Sequence, residues 1–119
     1  MQRYDMVDGD NHVYETLDSM VRNNNQRSCI VYYSDKNLEV KLHQRYDNVL
    51  KLFTIYVKPG DQAVDKRIKT DVGQILKEKA KAKVVIYSHD KGYDEYIKRV
   101  EKKGKKNRVK RKVASSPKR

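Results

Sequence analysis

Four apolar segments of strand character, alternating with stretches of helical spacing, constrain this chain more than any other feature. They are YDMVD (4–8), SCIVYYS (28–34), LKLFTIYV (50–57) and AKVVIYS (82–88). The last three are rich in Val, Ile, Tyr and Phe, which suit a pleated, buried surface. Val13, Leu17, Met20 and Val21 follow the first segment at helical intervals. Val64, Ile68, Val72, Ile75 and Leu76 repeat that stripe over a longer stretch, and Tyr93, Tyr96, Ile97 and Val100 form a third. A shorter helix is expected within 38–49. Asp61, just after a Lys-Pro-Gly turn, is placed to cap the long helix. Strands alternating with helices predict a three-layer α/β/α sandwich around a mainly parallel sheet, with right-handed crossovers. In such sheets functional groups gather beyond the carboxyl ends of the strands.

Charge divides the chain in two. Of a formal net charge of +12 over 119 residues, the segment 98–119 holds twelve Lys/Arg against one Glu. The remaining residues hold 16 Lys/Arg against 15 Asp/Glu, so the body is close to neutral. This predicts one α/β domain over 1–105 and a basic tail over 106–119, in which Val109 and Val113 retain the means to pair with the sheet edge. Clustered cations are a nucleic-acid footprint, because each neutralised phosphate releases counterions. The residues expected to contact phosphates are Lys91, Lys102, Lys103, Lys105, Lys106, Arg108, Lys110, Arg111 and Lys112. No apolar run approaches the roughly 20 residues that span a bilayer, and MQRYDMVDGD lacks a signal-peptide pattern. A lone Cys29 forms no intramolecular disulfide and reads as a small core residue, which suggests a reducing, cytoplasmic location and no membrane partner. Phosphate-binding glycine loops and dinucleotide fingerprints are absent from the sequence.

The acids lie where the strands end. The first segment closes with Asp8, Gly9, Asp10 and Asn11, the second with Ser34 and Asp35, and the fourth with Ser88, His89 and Asp90. The third runs into a helix that carries Asp61, Asp65 and Asp71. Carboxylates from three strand–helix junctions would converge on one rim, and their repulsion calls for a cation among them. Oxygen donors without paired His or Cys suit Mg²⁺ or Mn²⁺, ions that activate water and stabilise charge on a phosphoryl group. Asp is also a turn and cap residue, so Asp18, Asp35 and Asp61 are read as caps, and Asp8 fits a cap and a ligand equally well. Asp71 sits about 120° around the helix from Asp65, so the two do not serve one ion, and Asp65 is preferred. Asp5, inside the first strand, is read as structural or solvent-facing. His12 follows the acids and suits either phosphate contact or a solvated helix start. No two of His12, His43 and His89 have metal-ligand spacing. Tyr93, Tyr33 and Tyr87 offer rings for base stacking, although core packing suits Tyr33 and Tyr87 better.

Three motifs in this order resemble the PIN-like superfamily of metal-dependent nucleases, including its NYN branch. They are MVDGDN (6–11), KPGDQAVDKRIKTDVGQIL (58–76) and VVIYSHDKGYDEYI (84–97), and together the resemblance covers roughly residues 3–105. It implies a Rossmann-like α/β/α sandwich and a Mg²⁺- or Mn²⁺-dependent endoribonuclease that cleaves RNA phosphodiester bonds, with the polybasic tail aiding nucleic-acid binding. By position, Asp8, Asp65 and Asp90 would be the catalytic, metal-binding acids, with Asn11, Ser34 and Ser88 in support. Many NYN members carry a further Asp where this chain has Gly92, so Asp10 or Asp94 would have to supply a fourth acid. That departure keeps open a non-catalytic RNA- or protein-binding domain. DGDNH also fits the opening of haloacid-dehalogenase-like phosphatases, with Ser34 and Lys58 in the later roles, although His12 stands where Thr or Val is usual. A homo-oligomer and a regulatory protein partner are both compatible with the sequence.

Overall fold

The computed structural model of the protein describes residues 2–23, 28–104 and 108–113. Nine elements follow in order: β1 (Arg3–Asp8), α1 (Val13–Arg22), β2 (Cys29–Tyr33), α2 (Leu38–Tyr46), β3 (Leu52–Tyr56), α3 (Ala63–Glu78), β4 (Lys83–Tyr87), α4 (Gly92–Lys102) and β5 (Val109–Lys112). The five strands form one all-parallel sheet in the order β3-β2-β1-β4-β5. Parallel neighbours need helical crossovers, and these cover both faces of the sheet. On one face Val13, Leu17 and Met20 of α1 pack with Leu42 and Tyr46 of α2 against Val7, Val31 and Val85. On the other, Val64, Ile68, Val72 and Leu76 of α3 pack with Tyr93 of α4 against Met6, Val84 and Ile86. The result is a three-layer α/β/α sandwich.

β1 lies at the centre and shows why. Met6 and Val7 are both fully buried, on opposite faces, so alternation along the strand serves two cores at once. Burying side chains of this size stabilises by about 1.5–3 kcal/mol each. Asp5, in the same strand, is also buried, with its carboxylate 3.0 Å from Arg3 Nε and 3.4 Å from the Tyr87 hydroxyl. It is structural. Cys29 is buried too, and burial, followed by the charge of Asp5, pushes its thiol up to about 12. At neutral pH it is a protonated, inert core residue.

The segment set aside as a basic tail contributes β5. Val109 faces the α3/α4 core, and β5 pairs with β4 in register from Val84 with Val109 to Tyr87 with Lys112. The sheet therefore continues to Lys112, past the expected boundary at residue 105. A second expectation is corrected at the start of α3. Asp61 does not cap that helix; the cap position is Gln62, at φ 53°, and it makes no side-chain cap bond.

The strand order places the site. From β1 the chain steps outward through β2 to β3, then α3 carries it back across β2 and β1 to β4. The direction of winding reverses between β1 and β4. In open parallel sheets such a switch point leaves a crevice at the carboxyl ends of the strands.

Candidate functional site

Asp8 ends β1 at that crevice. Gly9 follows because no other residue fits: a Cβ there would lie 2.3 Å from the Tyr32 carbonyl oxygen. Instead the Gly9 amide donates to that oxygen at 2.7 Å, and the chain turns tightly over β2. The turn brings Asp10 to Ser34, whose hydroxyl donates to Asp10 Oδ2 at 2.8 Å. The amide of Asp10 donates to Asp8 Oδ1 at 3.1 Å. Asn11 reaches in the other direction, where its Oδ1 accepts the His89 amide at 2.8 Å. It thus ties the loop after β1 to the loop after β4, rather than touching the Asp8 carboxylate.

β4 delivers Ser88 and Asp90. Ser88 is buried; its hydroxyl donates to Asp8 Oδ2 at 3.2 Å and accepts the Asp90 amide at 3.0 Å. Asp90 Oδ1 accepts the Gly92 amide at 2.8 Å, so the carboxylate folds back over the first turn of α4. A Cβ on Gly92 would lie 3.0 Å from that same oxygen. Asp65 arrives on the first turn of α3, buried, and close to the helix N-terminus, where a negative charge is favoured. Lys69 Nζ lies 2.8 Å from Asp65 Oδ1, near enough for an ion pair but not aligned to donate a hydrogen bond.

Asp8, Asp10, Asp65 and Asp90 line one cleft of about 190 Å³ together with Asn11, Gly60 and Gln62. Among the described residues, Asp8, Asp10 and Asp90 form no ion pair with Lys or Arg. Burial pushes the Asp8 carboxyl above its ordinary value, opposed by hydrogen bonds from the Asp10 amide, Ser88 and Tyr93. Of the two candidates for a fourth acid, only Asp10 lines the cleft. Asp94 turns away to Arg111, whose Nε and Nη2 donate to it at 2.8 and 3.1 Å; this bond holds its carboxyl below the usual range. Asp71 accepts from the Tyr32 hydroxyl at 2.7 Å and pairs with Arg67, outside the cleft.

Two contributors escaped the sequence reading. Tyr93 is fully buried, so it offers no ring to a base; its hydroxyl donates to Asp8 Oδ2 at 3.3 Å. Burial, then the charge of Asp8, raises its pKa far enough that the hydroxyl stays protonated throughout the range in which proteins fold. The expectation that its ring could stack on a base is thereby corrected, and its place on the α4 stripe gave no sign of the bond to Asp8. Lys69 did carry a signal, because it stands four residues after Asp65 on one helix. Tyr33 and Tyr87 are buried strand residues.

The basic residues divide between two poles. Lys91 and Lys112 are exposed at the cleft end of the sheet, and Lys110 is exposed midway along β5. Lys102 and Lys103 are exposed at the far end of α4, about 16 Å along the helix from Gly92. Arg108 donates to the carbonyls of Leu76, Lys79 and Ala82, at and beyond the C-terminus of α3. Arg111 donates to Asp94 and to the Ser88 carbonyl. Both arginines are thus committed to the fold. Lys105 and Lys106 lie outside the described residues.

An all-parallel sheet wound in two directions, helices on both faces and carboxylates at the switch point define the class: a Rossmann-like α/β/α protein with an acidic cleft. The particular family follows from comparison. The family model for the PIN domain matches residues 2–110, and the chain belongs to that family. It is a nuclease-type domain. Lys58, which a phosphatase reading needs, does not line the cleft, and Ser34 reaches it through its bond to Asp10. Among solved structures, the chain is similar to ferredoxin-NADP+ reductase from Plasmodium falciparum with 2'P-AMP, at 14% identity and a TM-score of 0.42. That match covers 94% of this chain and 53% of the other, so the chain spans about half the length of that protein. Comparison with curated proteins gives no match.

Proposed function

We propose that the chain is a divalent-metal-dependent endoribonuclease. The observation that carries this reading is the convergence of Asp8, Asp10, Asp65 and Asp90 on one cleft from three strand–helix junctions. The donor set fits a hard divalent cation: every donor is a carboxylate oxygen, and Asp65 Oδ1 is buried without an aligned hydrogen-bond partner. Asp8, Asp65 and Asp90, with Asp10 as the fourth acid, would hold Mg²⁺ or Mn²⁺. When bound, such an ion stabilises charge on a phosphoryl group and makes water a stronger nucleophile at neutral pH.

The protein groups supply position. Ser88 and Tyr93 both donate to Asp8 Oδ2, which orients the carboxylate. Asn11 ties the loop that follows Asp8 to the loop that carries Asp90. The cleft is smaller than the roughly 300–1,000 Å³ of small-molecule sites, which suits one phosphate rather than a whole nucleotide. The rest of an RNA strand would lie on the surface, where Lys91 and Lys112 are exposed at the same pole.

One observation favours a second reading, RNA binding without cleavage. Lys69 already sets an ammonium beside Asp65, which lowers the need for a cation there. Labelled single-stranded RNA with Mn²⁺ separates the two. The expected result is cleavage by the intact chain and a loss of at least about 100-fold in Asp8→Asn and in Asp90→Asn. Equal cleavage in all three chains would overturn the assignment. RNA retention without cleavage by the intact chain would select the second reading.

A further inference from the structure

Next to the acidic cleft, three side chains that it does not use come together. His12 and Glu15 stand at the start of α1, and His89 lies in the loop between β4 and α4. Their possible ligand atoms all lie within 4.8 Å of one another. Glu15 Oε2 is 3.8 Å from His12 Nδ1, and Glu15 Oε1 is 3.8 Å from His89 Nε2. The two imidazole rings stand with centroids 4.1 Å apart, tilted by 37°.

These distances are too long for hydrogen bonds, and partly exposed charge pairs at such range contribute little. They are close to the spacing of ligands around a small cation. Bonds of about 2.0–2.2 Å in a tetrahedron put ligand atoms about 3.4 Å apart. The two Glu15 contacts, one on each carboxylate oxygen, lie within about half an ångström of that value, and the wider separations, up to 4.8 Å, close by rotation of the exposed His12 and the half-buried Glu15 side chains.

Two independent features point to a ligand. His89 Nε2 is itself buried and has no hydrogen-bond partner among the described residues, while the His89 amide is anchored by Asn11. An orphaned polar atom of this kind costs stability that a coordinate bond removes. His12, at the cap position of α1, adopts a left-handed backbone (φ 55°, ψ 44°) and makes no side-chain cap bond, so its ring is free to stack against His89. The two histidines are far apart in sequence, which is why spacing gave no hint of the pair.

Two imidazoles and one carboxylate are the donor set of borderline transition metals, and Zn²⁺ above all; Mg²⁺ keeps to oxygen. Three protein ligands leave a fourth position for water or an outside group. We infer that His12, Glu15 and His89 form a Zn²⁺-type site, separate from the acidic cleft. The ion clamps the loop after β1 to the loop after β4. Those loops carry Asp10, Asn11 and Asp90, and the first follows directly on Asp8, so the clamp steadies the acidic cleft from outside it.

The test is metal binding by the chelator-treated full chain, titrated with Co²⁺ and then Zn²⁺ in excess Mg²⁺. The intact chain is expected to bind Co²⁺ with visible ligand-field absorption, to exchange it for Zn²⁺, and to melt at a higher temperature once loaded. His12→Asn, which tolerates the left-handed backbone, and Glu15→Gln should each weaken Zn²⁺ binding at least about tenfold. Circular dichroism confirms that both variants fold. Asp8→Asn should leave Zn²⁺ affinity unchanged. No Co²⁺ or Zn²⁺ binding by the intact chain would overturn the inference. So would binding that is lost in Asp8→Asn but kept in His12→Asn and Glu15→Gln. Cleavage of RNA plays no part in this readout, so the clamp and the nuclease reading stand or fall separately.

Discussion

The acidic rim and the basic edge strand carry opposite charge and use it in opposite ways. At the rim, Asp8, Asp10 and Asp90 are held by hydroxyls and backbone amides rather than by cations: Ser88 and Tyr93 on Asp8, Ser34 on Asp10, the Gly92 amide on Asp90. Their negative charge remains available to a ligand. At the edge strand, Arg108 just before β5 is engaged by helix-end carbonyls, and Arg111 within it is paired with Asp94. Only the alternate residues Lys110 and Lys112 face solvent. A count of charges by sequence position treats both regions alike. Partner chemistry separates a charge that builds the fold from one that is offered outward.

Replacing Arg111 by Ala should break the comparison most severely. It removes two charged hydrogen bonds to Asp94 and one to the Ser88 carbonyl, and it strips a largely buried stem from the sheet edge. The expected loss is about 2 kcal/mol in chemical denaturation, since the half-exposed Asp94 carboxylate weakens the charge contribution. A loss under about 0.5 kcal/mol would mean that β5 holds without it.

Tyr93→Phe probes the rim at a smaller scale. One buried hydroxyl is removed and Asp8 loses a donor, at a cost of about 1 kcal/mol. The pH dependence has a definite sign. Burial already holds the Asp8 carboxyl above its ordinary value, and the Tyr93 bond opposes that rise. Without the bond the pKa climbs further, so Asp8 is protonated at a higher pH. The acid limb of Mn²⁺ binding should shift to higher pH in Tyr93→Phe and stay in place in Tyr96→Phe, because the Tyr96 hydroxyl bonds the Lys69 carbonyl instead. The linkage to stability follows the same sign. The ionised Asp8 costs the folded chain stability above its raised pKa, and the cost vanishes below the ordinary carboxylate range.

Lys110→Ala and Lys112→Ala should be the mildest changes. Both residues are exposed, so stability should move by less than about 0.5 kcal/mol. If either contacts a single-stranded RNA phosphate, the slope of log affinity against log salt should flatten by about 0.7 for that contact. The same change at Lys102, at the far pole, should leave the slope unaltered. A slope that responds to Lys102 but not to Lys112 would place the RNA path away from the cleft.

Four strands and the helices between them were legible because apolar residues supply the period. β5 was legible only at Val109, which was expected to reach the sheet edge, because the other inward position of VKRK is an arginine that pairs with Asp94. The positions of Asp8, Asp65 and Asp90 could be read from strand ends, and helical geometry separated Asp65 from Asp71. Spacing alone did not choose between Asp10 and Asp94. That choice depended on which carboxylate finds an arginine, and the arginine comes from β5. Tyr93 was hidden for a related reason, since a tyrosine on an apolar stripe looks the same whether its hydroxyl is idle or bonded to a buried acid.

The nuclease reading depends on a divalent cation held by the acids of the rim. Mn²⁺ titration of the intact chain, followed by electron paramagnetic resonance, reads that site without RNA. The free Mn²⁺ signal should fall on adding the intact chain and should be restored when Asp8→Asn or Asp90→Asn replaces it. A free-ion signal unchanged by the intact chain, or lowered as much by the two variants, would rule out the site.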